Sequence, residues 1–182
     1  CKKAFEPGRH FALSPSPLPE HATLDHVLAT YRVDADRVYL TGLSMGGHGA
    51  LYLAFKHQDV FGAAGSMSGG LDLRPFPLNW NLAERLGKYA DHPDRWEDNS
   101  VINLTHLLTP GSLKLIIDCG SEDFFYGVNN AFHQKLLDRN IPHDYISRPG
   151  AHNWDYWRNA VQYQLLFMSN YFKAGEAAAV VN

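Results

Sequence analysis

Cysteine is nearly absent: the 182 residues hold two, Cys1 and Cys119. Two such residues make no disulfide framework, and Cys119, closing an apolar run, reads as a buried thiol. There is no cysteine cluster, and no two of the ten histidines have metal-helix spacing; a metal site is therefore not expected. A basic excess is also missing. Sixteen Lys and Arg stand against 19 Asp and Glu, a formal net charge of -3, and no basic cluster interrupts that balance. A nucleic-acid partner is not expected. No apolar stretch approaches the length of a membrane span. The chain begins at Cys1 rather than Met and carries no signal-peptide pattern, so its start assigns no compartment.

What is present suits one domain over residues 1–182, with 45% hydrophobic residues to fill a core. Its organising stretch is Leu40-Thr41-Gly42-Leu43-Ser44-Met45-Gly46-Gly47. Gly-x-Ser-x-Gly between a strand and a helix is the pattern of a nucleophile elbow, a sharp and strained turn that lifts a serine hydroxyl clear of a sheet. The context fits. Arg37–Thr41 reads as a strand, and Met45–His57 reads as a helix with small residues along one side.

Residues 1–19 have no clean period and carry the breaker cluster Ser14-Pro15-Ser16-Pro17-Leu18-Pro19. From Glu20 a helix is expected, with Leu24, Val27, Leu28 and Tyr31 on one face. After the elbow helix, Phe61–Ser68 reads as a second strand. Residues 69–111 read as an excursion over the sheet edge, with a helix capped by Asn79 or Asn81 and another opening at Asp91-His92-Pro93. Leu113–Asp118 is the strongest strand, Val128–Arg139 a helix, Asp144–Ser147 the last strand and Asp155–Phe172 a closing helix. Residues 174–182 are expected as a tail, frayed from Glu176. The alternation gives an α/β fold, a parallel sheet with helices on both faces.

In such sheets, sites gather beyond the carboxyl ends of the strands, which selects Ser44, Ser68, Asp123 and His152. Three of these form a chemical set. A serine hydroxyl needs a base of near-neutral pKa to take its proton, and histidine fits. An acid must hold that histidine in one tautomer and stabilise its charged form. Ser44, Asp123, His152 is also the chain order of α/β-hydrolases. Glu122 and Asp118 are rival acids; Asp123 is preferred because Asp118 falls inside the sheet layer and Glu122 points away. Asp123 also has a plainer reading as a helix cap, and His48 one as a packing or local capping residue. The Met45 N–H is one expected oxyanion donor. The second has no candidate.

Three segments together resemble the esterase D-like family of α/β-hydrolases: Gly-Leu-Ser-Met-Gly-Gly at the elbow, Asp-Cys-Gly-Ser-Glu-Asp-Phe-Phe-Tyr (118–126) and Pro-Gly-Ala-His-Asn-Trp-Asp-Tyr-Trp (149–157). The resemblance runs from about Tyr31 to Phe172. It implies an α/β-hydrolase-type sheet with Ser44 as nucleophile, Asp123 as acid and His152 as base. Family members carry further strands before the elbow, so the sheet is expected to be incomplete at its N-terminal half, the chain a fragment or truncated product, and its free edge a route to homo-oligomers.

The resulting expectation is a serine carboxylic-ester hydrolase, working through an acyl-enzyme on a small-molecule ester and needing no cofactor. Trp154, Trp157 and Phe124 are candidate substrate contacts for an aromatic or sugar-linked ester. Trp154, Tyr156 and Trp157 have the alternative of packing the closing helix on the sheet. Two further alternatives are a non-catalytic remnant acting as a binding module and an acyltransferase of the same family.

Overall fold

In the computed structural model the described residues are 22–35 and 37–180, side chains of 22 and 175–180 excepted; the irregular stretch expected over 1–19 lies outside them. The first element, α1 (Ala22–Thr30), leads to the strand β1 (Leu40–Leu43) and, with only Ser44 between, to α2 (Met45–Lys56). β2 (Ala63–Met67) follows. The 69–111 stretch holds α3 (Leu82–Leu86), α4 (Pro93–Asp98) and a 3-10 helix over Val101–Leu107. β3 (Lys114–Gly120), α5 (Tyr126–Asp138), β4 (Asp144–Arg148) and α6 (Trp154–Val180) complete the order.

The four strands form a parallel sheet in the order β1-β2-β3-β4. Residue parity along each strand divides the core. Ala64, Leu115 and Ile117 face α2 and α5, packing with Leu51, Phe55, Phe132 and Leu136. Leu71, Val101, Ile102 and Leu104 of the 69–111 stretch join that same cluster. On the opposite face Met67 meets Tyr156, Trp157 and Ala160 of α6. A smaller cluster, Leu73, Leu82, Leu86 and Trp96, holds α3 to α4, and the Trp96 indole N–H donates to the Gly87 carbonyl at 3.0 Å.

Several boundaries differ from those expected. β1 begins three residues late and runs through Leu43, because only Leu40–Leu43 lie opposite β2, in the register Leu40↔Ala64 to Leu43↔Met67. Gly42 is therefore a strand residue and not the start of the turn. β3 continues two residues past Asp118, since Cys119 and Gly120 still pair with Ser147 and Arg148. α5 starts at Tyr126. α1 buries less than its pattern implied: Leu24 packs on the core, while Leu28 and Tyr31 are exposed. The expected tail is helical as far as Val180.

The elbow depends on close approach of backbone to backbone. A Cβ on Gly42 would lie 2.4 Å from the Gly46 carbonyl carbon, whereas one on Gly49 would meet nothing within 4 Å. Gly42→Ala should therefore destabilise the protein by about 3 kcal/mol or more, as overpacking against immovable backbone does. Gly49→Ala should be neutral or stabilising by about 0.5–1 kcal/mol from helix propensity. Urea unfolding of the two variants beside the parent checks this; equal effects would mean that the elbow tolerates a methyl group.

Candidate active site

Three of the four strands are followed by a residue of the site. After β1, Ser44 adopts φ 53° and ψ -120°, a left-handed conformation that costs a non-glycine residue of order 1–3 kcal/mol. Its N–H donates to the Met67 carbonyl at 2.9 Å, and its own carbonyl accepts the His48 N–H at 3.1 Å. These two bonds hold the turn between β2 and the first turn of α2. After β3, Asp123 folds back so that its Oδ1 accepts the Phe125 N–H at 2.8 Å. After β4, Pro149-Gly150-Ala151 carries His152 over the sheet end, and Asn153 Oδ1 accepts the Tyr156 N–H at 3.1 Å at the start of α6.

These turns bring three side chains together across 108 and 29 residues of sequence. His152 Nε2 lies 3.0 Å from Ser44 Oγ. Its Nδ1 lies 2.8 Å from Asp123 Oδ2 and 3.0 Å from Oδ1. With the proton on Nδ1 donated to the carboxylate, Nε2 is left as the acceptor for the Ser44 hydroxyl. The Asp123 side chain is fully buried and that of His152 is 14% exposed, so the pair acts through little solvent. Asp123 therefore binds the turn before α5, whose N-cap Phe125 has no side-chain capping bond, and its carboxylate also faces the histidine. Glu122 is exposed beside it. Met45, at the first position of α2, places its N–H at the positive end of that helix.

The rival acid Asp118 is also fully buried, on the α6 face of β3. Its Oδ1 accepts the Tyr156 hydroxyl at 2.5 Å and its Oδ2 accepts Arg148 Nη2 at 2.7 Å. Burial pushes its carboxyl above the ordinary value, and the Tyr156 and Arg148 bonds work against that rise. A cleft of about 350 Å³ lies beside this cluster, lined by Glu122, Arg148, Asn153 and Asn159; neither Ser44 nor His152 lines it.

The aromatic candidates divide. Phe124 is 53% exposed, with its ring centroid 4.3 Å from that of His152. Trp154 is 62% exposed, edge-on to Trp157. Tyr156 and Trp157 are buried and take the packing alternative. Trp157 therefore offers no open face to a substrate; its ring stands edge-on to His152 at 4.8 Å, and its indole N–H donates to Ser68 Oγ at 3.1 Å. Trp80 and Trp96, both in the 69–111 stretch, face the same choice between substrate contact and packing; Trp96 is buried, and Trp80 lies beside the site. Half exposed, it stacks beside Phe124 and Phe125 on a backbone where both Trp80 and Asn81 have positive φ. Asn81 heads α3 but makes no side-chain capping bond.

His48 lies in the first turn of α2. It is buried, its Nδ1 lies 2.8 Å from the Gly70 carbonyl, and its ring stacks on Tyr52. Nε2 is buried without a protein partner, which fits a neutral ring donating from Nδ1. Among the described residues there is no group of three or more His, Cys, Asp or Glu able to hold a metal ion, and no helix is long and apolar enough to cross a membrane.

A profile of the family described as "Putative esterase" matches residues 21–168. The chain belongs to this esterase family. It is similar to an acetyl esterase of Caldicellulosiruptor saccharolyticus, 27% identical over 148 residues that cover 74% of the chain and 55% of the relative. It is also similar to a diacylglycerol acyltransferase/mycolyltransferase of Mycolicibacterium smegmatis, 27% identical over 151 residues, covering 66% of the chain and 46% of the relative. Among solved structures a ferulic acid esterase superposes with a TM-score of 0.69 at 28% identity, over 83% of the chain and 59% of that one. The esterase fold here is thus of the α/β-hydrolase type, and the chain spans about half the length of the curated relatives it matches.

The buried His48 makes stability pH-dependent. Burial holds its folded pKa below the ordinary value of 6.5, so the unfolded chain takes up a proton that the folded one refuses. The resulting stability is present above about pH 6.5 and is lost as pH falls below it, by up to about 1.4 kcal/mol per pH unit. Urea unfolding at pH 7.5, 6.5 and 5.5 should show a steeper decline for the parent than for His48→Gln. Parallel declines would mean that His48 titrates equally in both states.

Proposed function

We propose that this chain carries the catalytic centre of a serine carboxylic-ester hydrolase, with Ser44 as nucleophile, His152 as base and Asp123 as the acid that holds it. The observation that supports this most directly is the continuous line of hydrogen bonds from Ser44 Oγ to His152 to Asp123, on a serine held in a strained turn at a helix start. Ser44 Oγ attacks the ester carbonyl carbon while its proton passes to His152 Nε2. The imidazolium is stabilised by the buried Asp123 carboxylate. The Met45 N–H stabilises the negative oxygen of the tetrahedral intermediate. As the carbon–oxygen bond to the alcohol breaks, His152 returns the proton to the leaving oxygen, and the acyl group stays on Ser44. Water then attacks the acyl carbon, giving its proton to His152; the Ser44–acyl bond breaks, Ser44 recovers a proton from His152, and the carboxylic acid leaves. The steps need no cofactor.

The substrate is an ester small enough to reach Ser44 past Phe124 and Trp80. Those half-exposed rings, together with Met45 and Trp154, offer apolar surface to an acyl or alcohol group. Acyl transfer is a second reading, favoured by the similarity to the mycobacterial acyltransferase. It differs only in that an alcohol, not water, attacks the acyl-enzyme.

Hydrolysis of a short p-nitrophenyl ester tests the first reading. Ser44→Ala should lower kcat/KM by at least about 10⁴-fold with the fold retained, and Asp123→Asn by about 10³–10⁴-fold. Glu122→Gln should stay within about twofold, as an exposed neighbour does. Full activity in Ser44→Ala would end the proposal, and the opposite order of the two acids would reassign the acid. Adding an alcohol acceptor separates the readings: an ester product formed faster than free acid would favour transfer.

A further inference from the structure

Asp118 takes no part in the chemistry above, yet it is a fully buried carboxylate one strand end away from it. Replacing buried ion pairs by apolar side chains is often neutral or stabilising, so such a pair is weak evidence for stability. What it does supply is direction, since its hydrogen bonds fix the groups they join. Asp118 joins two. Tyr156 comes from the first turn of α6 and Arg148 is the last residue of β4. The His152 loop is the chain between them.

Three further contacts tie that loop to the loop of Asp123. The Ser121 N–H donates to the Arg148 carbonyl and the Glu122 N–H to the Gly150 carbonyl, both at 2.9 Å. At the seam the backbones touch: a Cβ on Gly120 would lie 2.1 Å from the Gly150 oxygen. The Tyr156 ring closes over Gly150, where a Cβ would come within 2.4 Å of it and φ is 144°. The residue after Tyr156 is Trp157, edge-on to His152 and bonded to Ser68. The Arg148 guanidinium lies over the Tyr163 ring, centroid distance 4.3 Å, and donates to Asn159 at 2.9 Å, both one or two turns further along α6.

We propose that Asp118, Tyr156 and Arg148 form a positioning unit that sets the place of His152 between Ser44 and Asp123. His152 reaches Ser44 and Asp123 through its ring alone, so the place of that ring follows the place of its loop. The loop is held at both ends by the one buried carboxylate. Losing the Tyr156 bond frees the first turn of α6 to slide, and with it Trp157 and the loop. A displacement of about 1 Å at a reacting group costs on the order of 10²-fold in rate.

This inference rests on reading Ser44, His152 and Asp123 as the reacting set, so the test reads positioning separately from activity. Tyr156→Phe keeps the ring and removes only the hydroxyl. Its kcat for a p-nitrophenyl ester should fall about 10–100-fold, with KM within about twofold. The downfield proton resonance of the His152–Asp123 hydrogen bond, read without substrate, should broaden or vanish while the protein remains folded. A lower melting temperature with kcat and resonance unchanged would overturn the proposal, because the cluster would then be structural only. Arg148, a quarter exposed, gives the second series should Tyr156→Phe fail to fold. Arg148→Lys should retain more activity and a sharper resonance than Arg148→Gln, and equal, parent-like behaviour of both would overturn it. Fluorophosphonate labelling keeps the two proposals apart. Parent protein that does not label at Ser44 refutes the ester-hydrolase reading, while the resonance comparison still decides the positioning one.

Discussion

The contact between Gly42 and the backbone of Gly46 is the constraint on which the site depends. It lets β1 and α2 meet at an angle no side chain would permit, and the meeting forces Ser44 into a positive-φ conformation. The strain is held by neighbours on both sides: the Met67 carbonyl takes the Ser44 N–H, and the first turn of α2 takes its carbonyl. The requirement falls unequally on the two motif glycines. A Cβ on Gly46 would meet nothing within 4 Å, so it is the backbone of Gly46, and not its lack of a side chain, that Gly42 must clear. Ser44 in turn defines where His152 must arrive, and His152 defines where a carboxylate must wait.

That arrival is a long-range problem. His152 is 108 residues from Ser44 and 29 from Asp123, and local propensity has no hold on such distances. Parallel pairing does. In β1-β2-β3-β4 every strand points the same way, so every strand's following loop opens on one end of the sheet. The register fixes those ends within a residue, and backbone bonds between the 120s and 150s loops finish the alignment. The core on the α2 and α5 face supplies the burial that keeps the sheet in place. Chemistry at the sheet end thus draws on packing well below it.

Much of this was legible in the chain. The elbow that carries Ser44 is a local motif, and its two partners, Asp123 and His152, fall after strands that carry apolar runs, so the type, order and place of all three could be read together. Strand limits were less legible, because β1 is defined by its partner and not by its own propensity: Arg37, Val38 and Tyr39 suit a strand but lie outside the ladder with β2. The 69–111 stretch was harder still. The left-handed pair Trp80 and Asn81 and the 3-10 helix from Val101 answer to packing against distant residues. Trp157 was ambiguous for the same reason, since the hydroxyl that takes its N–H, on Ser68, is 89 residues away.

The two buried carboxylates show how strand parity separates roles that composition leaves equal. Asp118 and Asp123 are five residues apart, both with fully buried side chains, both beside a nitrogen-bearing side chain. Within β3, alternate residues face opposite helical layers. Leu115 and Ile117 go to the α2 and α5 core, so Asp118 goes to α6. There the cation it meets is a guanidinium, which keeps its charge at any ordinary pH. Asp123 escapes parity because the strand has ended. Its chain is free to turn, its Oδ1 fixes that turn through the Phe125 N–H, and the partner it meets is the His152 imidazole. The carboxylate that meets the His152 ring thus lies on the loop, and the one that meets a fixed positive charge lies in the strand. The same sheet end accommodates both because Gly120, the last residue of β3, brings the two loops into backbone contact.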